Sequence, residues 1–165
     1  MQDLLPELCD LYPARVKLLE PVFQVYGAKK LFYGQVETVK CWQDNSRVKE
    51  LLASPGEGRV LVVDGGGSTQ RALMGDIIAD SAYLQGWSGV VIYGAIRDVS
   101  AINTMELGVR ALAACPMKTE RKGAGETGLE LSVAGQTIQP GMYLYADENG
   151  ILVSEQALLL PEGFA

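Results

Sequence analysis

Two short apolar runs constrain this chain more than any other feature. Arg59-Val60-Leu61-Val62-Val63-Asp64 and Gly89-Val90-Val91-Ile92-Tyr93-Gly94 are rich in β-branched residues and bounded by turn residues. A strand with one wet face alternates apolar and polar side chains, whereas an unbroken run suits a strand covered on both faces. Between them, residues 75–87 (GDIIADSAYLQGW) repeat at helical spacing through Ile78, Ala82 and Leu84. Arg97-Asp98 follows the second run directly. A weaker helical pattern then reaches about Leu107, and a third strand pattern covers Val109 to Ala114. Strand, helix, strand, helix, strand predicts a central parallel βαβ layer, because parallel strands need a crossover between them.

The flanking segments fit around that layer. Residues 3–12 predict a short helix, with Leu4, Leu5, Leu8 and Leu11 on one side and Pro13 stopping it. Gly34 to Cys41 alternates and predicts a strand. Asp44-Asn45-Ser46 is helix-capping material ahead of Val48, Leu51 and Leu52, and Pro55-Gly56-Glu57-Gly58 ends that helix. The C-terminal third is β-rich. Leu129 to Val133 alternates and Ala134-Gly135-Gln136 turns it back. Tyr143 to Val153 is a hairpin with Asn149-Gly150 at its tip, and a last helix is expected over Glu155 to Leu160. No linker or repeat divides the chain, so residues 1–165 are read as a single α/β domain.

Composition narrows the chemistry. The chain has no histidine, which excludes a histidine general base, a Ser-His-Asp triad and imidazole metal ligands. Chemistry must run on carboxylates, arginine, lysine, tyrosine, cysteine, backbone amides or a metal held by oxygen. The formal net charge of −6 and the scattered basic residues argue against direct nucleic-acid binding. Cys9, Cys41 and Cys115 are too far apart for a zinc knuckle or a disulfide framework. Free thiols fit a reducing cytoplasm. The opening Met1-Gln2-Asp3-Leu4-Leu5-Pro6-Glu7 has no signal-peptide character, and no apolar run is long enough to span a bilayer.

Three motifs compete as sites. Gly123-Ala124-Gly125-Glu126-Thr127-Gly128 matches G-x-G-x-x-G, but a charged stretch precedes it and an alternating strand follows it. It therefore reads as a loop, at most on a site's rim, and not as a nucleotide cradle. Gly75-Asp76-Ile77-Ile78 opens a helix, where unpaired amides and the dipole favour an anion. A plain N-cap explains the same residues. Arg97-Asp98 ends the second central strand, where open α/β sheets bind ligands. Arginine there suits a carboxylate or enolate and aspartate suits a hard cation. A local ion pair with a helix cap is the competing reading. Adjacent parallel strands would bring the Gly75 and Arg97 loops together.

Val60 to Ser68, Arg71-Ala72-Leu73, Gly75-Asp76, Val91 to Asp98 and Tyr145 to Gly150 together resemble the family of the regulator of ribonuclease activity A. That family includes the class II 4-hydroxy-4-methyl-2-oxoglutarate aldolases. The likeness covers nearly the whole chain, including Glu7-Leu8-Cys9-Asp10 and Glu20-Pro21. It implies a fold related to swivelling β/β/α domains, assembled as a homotrimer or dimer of trimers. It also implies a 2-oxo acid site at the subunit interface, with Gly75, Asp76, Ile77 and Ile78 binding the substrate carboxylate. Arg97 would contact the enolate oxygen and Asp98 would anchor Mg²⁺ or Mn²⁺. The aldolase members often carry an acid where this chain has Ala101. The expected activity is metal-dependent cleavage to two pyruvates with oxaloacetate decarboxylation beside it. The alternative is a non-catalytic regulator that binds and inhibits ribonuclease E.

Overall fold

The unbroken apolar run at residues 60–63 has its two faces buried in two different cores. In the computed structural model, which describes residues 3–164, Leu61 and Val63 enter one cluster while Val60 and Val62 enter another. Residues 1, 2 and 165 of the single-domain reading lie outside the described residues.

In chain order the elements begin with α1 (Leu4–Leu11), β1 (Lys17–Leu18), β2 (Gln24–Tyr26), β3 (Phe32–Lys40) and α2 (Ser46–Leu52). Then come β4 (Val60–Asp64), β5 (Ala72–Met74), α3 (Asp76–Leu84), β6 (Gly89–Ile96), α4 (Val99–Ile102) and β7 (Gly108–Ala114). The last are β8 (Glu126–Thr127), β9 (Leu131–Val133), β10 (Gln136–Ile138), β11 (Tyr143–Asp147) and β12 (Gly150–Ser154). One ten-stranded sheet runs β1-β12-β11-β3-β4-β6-β7-β2, with β5 added to β6 and β8 to β3. Strands β3, β4, β6 and β7 pair in parallel, which is the expected central layer. The hairpins and edges are antiparallel, and β9–β10 forms a separate two-stranded sheet.

Three apolar clusters explain this arrangement. Side chains of α2, α3 and α4 cover one face of the parallel layer, meeting Leu61, Val63, Ile92 and Val109. The opposite face packs on β9–β12 through Val60, Val62 and Val91. Helix α1 covers the outer face of β11–β12, where Leu4, Leu5 and Leu8 meet Tyr145 and Leu152. Strand alternation does the sorting: Leu144 and Ala146 point inward, Tyr145 to α1. Phe32 fits because Gly89 and Gly108 lack side chains, and a Cβ on either would collide with its ring.

Several expectations are corrected. The segment Glu155 to Leu160 is irregular, bending at Glu155–Gln156, and not helical. Its backbone groups bond to side chains instead of a helical ladder: Leu158 N donates to Tyr145 Oη at 2.8 Å, and Leu159 O accepts from Tyr12 Oη at 2.7 Å. The helix expected over 75–87 stops at Leu84, which is exposed. Gly86 at φ +81° closes it in a Schellman motif, with Gly86 N bonded to Tyr83 O and Trp87 N to Ala82 O. The weak helix toward Leu107 is only α4. Leu11 is exposed, unlike the other leucines of α1. The hairpin tip is Glu148-Asn149, since Gly150 already pairs with Asp147. Strand β5 was too short to stand out as a pattern. Among the described residues, no helix is long and apolar enough to cross a membrane.

Candidate functional site

Arg97 and Asp98 stand immediately beyond the carboxyl end of β6. The strand end is held from both sides. Arg97 N donates to Met74 O of β5 at 2.9 Å, and Cys115 N, after β7, donates to Ile96 O at 2.8 Å. Asp98 then takes φ +58°, ψ +41°, a left-handed conformation that aspartate tolerates better than most residues. Its side chain does not cap α4. Instead Oδ2 accepts from Asp76 N, in the first turn of α3, at 3.0 Å. The two connections expected to converge are therefore joined by a direct hydrogen bond.

Gly75, not Asp76, is the N-cap of α3. Its φ of −118° is open to any residue, so space and not strain requires glycine there. A Cβ at Gly75 would lie 2.6 Å from Asp98 Oδ2 and 3.4 Å from Arg97 Cγ and Nε. The helix ladder begins with Ala79 N bonding Gly75 O. No side chain of the N-cap meets the first-turn amides. With the Asp76 amide taken by Asp98, those of Ile77 and Ile78 remain as donors for an anion.

These residues line one cleft of about 300 Å³. The Arg97 Nε to Asp98 Oδ2 distance is 3.8 Å and both side chains are 40% exposed, so the pair is loose and worth little. The Arg97 fork stays available for a ligand. Lys49, Lys118 and Arg121 line the same cleft. Against Asp76 and Asp98 they leave an excess of positive charge, although the chain is acidic as a whole.

The last three cations were not assigned to the site from sequence. Lys49 comes from α2, whereas Lys118 and Arg121 are placed by long-range hydrogen bonds. Asp44, 4% exposed, accepts from Ser46 N, Ser46 Oγ, Lys122 N and Ala124 N. Burial pushes its carboxyl up, but these bonds outweigh burial and hold it at about 2. Asn45 Oδ1 accepts from Thr119 Oγ1 at 2.8 Å and Arg121 Nε at 3.1 Å, while its Nδ2 donates to Leu73 O. The capping residues of α2 thus fold the 118–125 loop onto the cleft. The G-x-G-x-x-G motif lies in that loop and in β8, next to the cleft's basic rim; it opens no helix of its own, and Gly123 N donates to Ser46 Oγ at the start of α2 at 3.1 Å.

Asp98 suits a hard cation. Its carboxylate is partly exposed and, among the described residues, no donor occupies Oδ1. The described residues contain no cluster of three or more acidic or thiol ligands. A cation at Asp98 would therefore draw its remaining ligands from water and substrate, as Mg²⁺ commonly does. Ala101, where aldolase members often carry an acid, is exposed on α4.

Comparison with known proteins follows the same lines. The RraA-like family model (Aldolase/RraA) matches residues 5–153. A Marinomonas sp. (strain MWYL1) protein named "Putative 4-hydroxy-4-methyl-2-oxoglutarate aldolase" is 54% identical over 161 residues, covering 98% of this chain and 100% of the relative. The structure of the RNA-processing inhibitor RraA from Thermus thermophilis superposes with a TM-score of 0.91 at 40% identity, covering 99% of this chain and 98% of that one. A Geobacillus kaustophilus structure titled as an S-adenosylmethionine:2-dimethylmenaquinone methyltransferase also has a TM-score of 0.91 at 40% identity, covering 93% and 95%.

Proposed function

The chain belongs to the RraA-like family, and we propose that it is a divalent-metal-dependent aldolase cleaving 4-hydroxy-4-methyl-2-oxoglutarate to two pyruvates. Oxaloacetate decarboxylation is the expected side activity, since both reactions pass through the pyruvate enolate. The observation that carries this reading is the joining of Asp98, Arg97 and the first turn of α3 in one basic cleft.

The Ile77 and Ile78 amides seat the C1 carboxylate of the 2-oxo acid at the positive end of α3. Asp98 is the residue that would hold Mg²⁺ or Mn²⁺, which when bound supplies Lewis acidity at the 2-oxo group. Loss of the C4 hydroxyl proton and breakage of the C3–C4 bond leave the electron pair on C3 and the C2 oxygen. Arg97 sits where it can donate to that oxygen as charge develops, worth a few kcal/mol when donor and site are preorganised. Protonation at C3 completes the second pyruvate. Asp76 is the other carboxylate lining the cleft, and we assign it to orient the water that takes the hydroxyl proton. The surplus of Lys49, Lys118 and Arg121 suits a substrate with two carboxylates.

The test is pyruvate release from both substrates with Mg²⁺, with EDTA, and in Asp98→Ala. Activity should vanish with EDTA and fall at least about a hundredfold in Asp98→Ala. Activity indifferent to both refutes the metal mechanism. Exposed Ile77, Tyr83 and Leu84 on α3, the helix that starts at the cleft, support burial against another copy in a homotrimer or dimer of trimers, measurable by sedimentation. A second reading, regulation by binding ribonuclease E, rests on the likeness to the Thermus inhibitor. Capture of purified ribonuclease E by the chain tests it independently of turnover. A cytoplasmic location is part of both readings.

A further inference from the structure

Arg110, in β7, is 2% exposed. Its guanidinium donates to main-chain carbonyls: Nη1 to Val109 O at 3.0 Å, and Nη2 to Lys30 O at 2.7 Å and Asp147 O at 3.3 Å. Among the described residues no carboxylate lies within ion-pair distance of it. Asp147 has its carboxylate committed elsewhere, Oδ2 to Leu5 N at 3.0 Å and Oδ1 to Asn149 N at 2.7 Å. Stacking on the Phe32 ring at 5.1 Å offsets only part of the cost of burying a cation without a counter-charge. Burial pushes the guanidinium down to about 10, against the opposing fields of Asp147 and Glu148.

Arg110 also lines an open cleft of about 220 Å³ between the β1–β2 segment and the β11–β12 tip. Nε has no acceptor among the described residues, yet it is not sealed off in the core. Val25 stands directly opposite Arg110 in the β2–β7 register, so the two project from the same face. Leu18 and Val25 leave apolar surface open beside the buried charge, at 59% and 38% exposure. This cleft shares no lining residue with the Arg97–Asp98 cleft.

We propose that this second cleft binds a small monocarboxylate with a short apolar chain, its carboxylate on Arg110 and its chain against Leu18, Phe23 and Val25. Charge and surface both select that class. The guanidinium lacks an anion, the walls are apolar, and Glu20 and Glu148 on the rim repel a dianion. The ligand thereby differs from the dicarboxylate of the other cleft. A free carboxylic acid and an apolar amino acid share this chemistry, the second placing its ammonium near the rim acids.

Titration calorimetry on the full chain, with 4-methylpentanoate, L-leucine and inorganic phosphate as separate probes, decides the matter. Saturable binding of either organic probe, with phosphate much weaker, is expected. Binding of 4-methylpentanoate alone identifies a free acid, and of leucine alone an amino acid. Arg110→Gln should weaken binding by about tenfold or more, the loss expected for a charged hydrogen bond. Val25→Trp, at an exposed edge position, should fill the cleft and do the same even if Arg110→Gln fails to fold. Asp98→Ala should leave binding unchanged. No saturable binding of either organic probe, phosphate bound as tightly, or binding that survives Val25→Trp overturns the proposal.

Discussion

Gly75→Ala separates the role of the cleft from the stability of the fold. The backbone at this position, φ −118° and ψ −165°, suits any L-residue, so alanine adds no backbone strain. The new methyl would sit 2.6 Å from Asp98 Oδ2, closer than real Cβ contacts allow. The carboxylate is the end of a partly exposed side chain and can swing away. Its movement breaks the 3.0 Å bond to Asp76 N, the one that caps α3 from a distance. Losing such a cap costs about 1 kcal/mol, or roughly 2–4 °C in Tm for a chain of this size. Catalysis should suffer far more. Displacing a reacting group by about 1 Å can cost a hundredfold, close to 2.7 kcal/mol of barrier. Circular dichroism melts and coupled pyruvate release at saturating Mg²⁺ measure the two quantities on one preparation. A variant with wild-type Tm and activity within about threefold of wild type would refute the claim that this glycine exists to make room for Asp98. Collapse of the fold would show instead that Gly75 is structural.

Two other perturbations test the scaffold. Asp44 is held at about 2 by the bonds from Ser46, Lys122 and Ala124, below its ordinary 3.8, so its stabilising contribution is complete above about pH 4 and disappears as pH falls through 2. Urea unfolding of wild type and Asp44→Asn should therefore differ at pH 6 and converge near pH 2; a gap independent of pH contradicts this. Gly108→Ala drives a methyl into the Phe32 ring and should cost about 1–3 kcal/mol by overpacking, read as a lower denaturation midpoint with unchanged slope. A neutral result would mean that Phe32 has room to move.

The central layer was legible because its strands are buried on both faces, and a strand with two buried faces writes an unbroken run into the sequence. Val60 to Val63 and Val90 to Ile92 do this, and the helical stripe of Ile78 and Ala82 marks the crossover between them. The convergence of Gly75 with Arg97 was expected from the adjacency of β4 and β6, but the strand that delivers Gly75 is β5, paired with β6 and too short to read in the sequence. The tail was misread for a physical reason. Leu158, Leu159 and Leu160 offer helix-forming composition, but the partners of this segment are Tyr145, in a neighbouring strand, and Tyr12, 147 positions away in sequence. Tertiary contacts outweighed propensity there. The 118–125 loop was opaque for the same reason: Asp44 and Asn45 reach across 74 to 80 positions to hold it.

That loop changes what the net charge means. A formal charge of −6 suggests a molecule that repels anions, and from composition alone a dianionic substrate looks unfavourable. Charges act over a Debye length of about 8 Å at physiological salt, so the local count governs approach. In the cleft, Lys49, Arg97, Lys118 and Arg121 face Asp76 and Asp98, and the sign is inverted. Acidic residues elsewhere then help by discouraging anions from settling anywhere but the cleft. The missing histidine fits the same logic. With no imidazole available, anions must be held by arginine, lysine and backbone amides, and the cleft concentrates all three around one partly exposed aspartate.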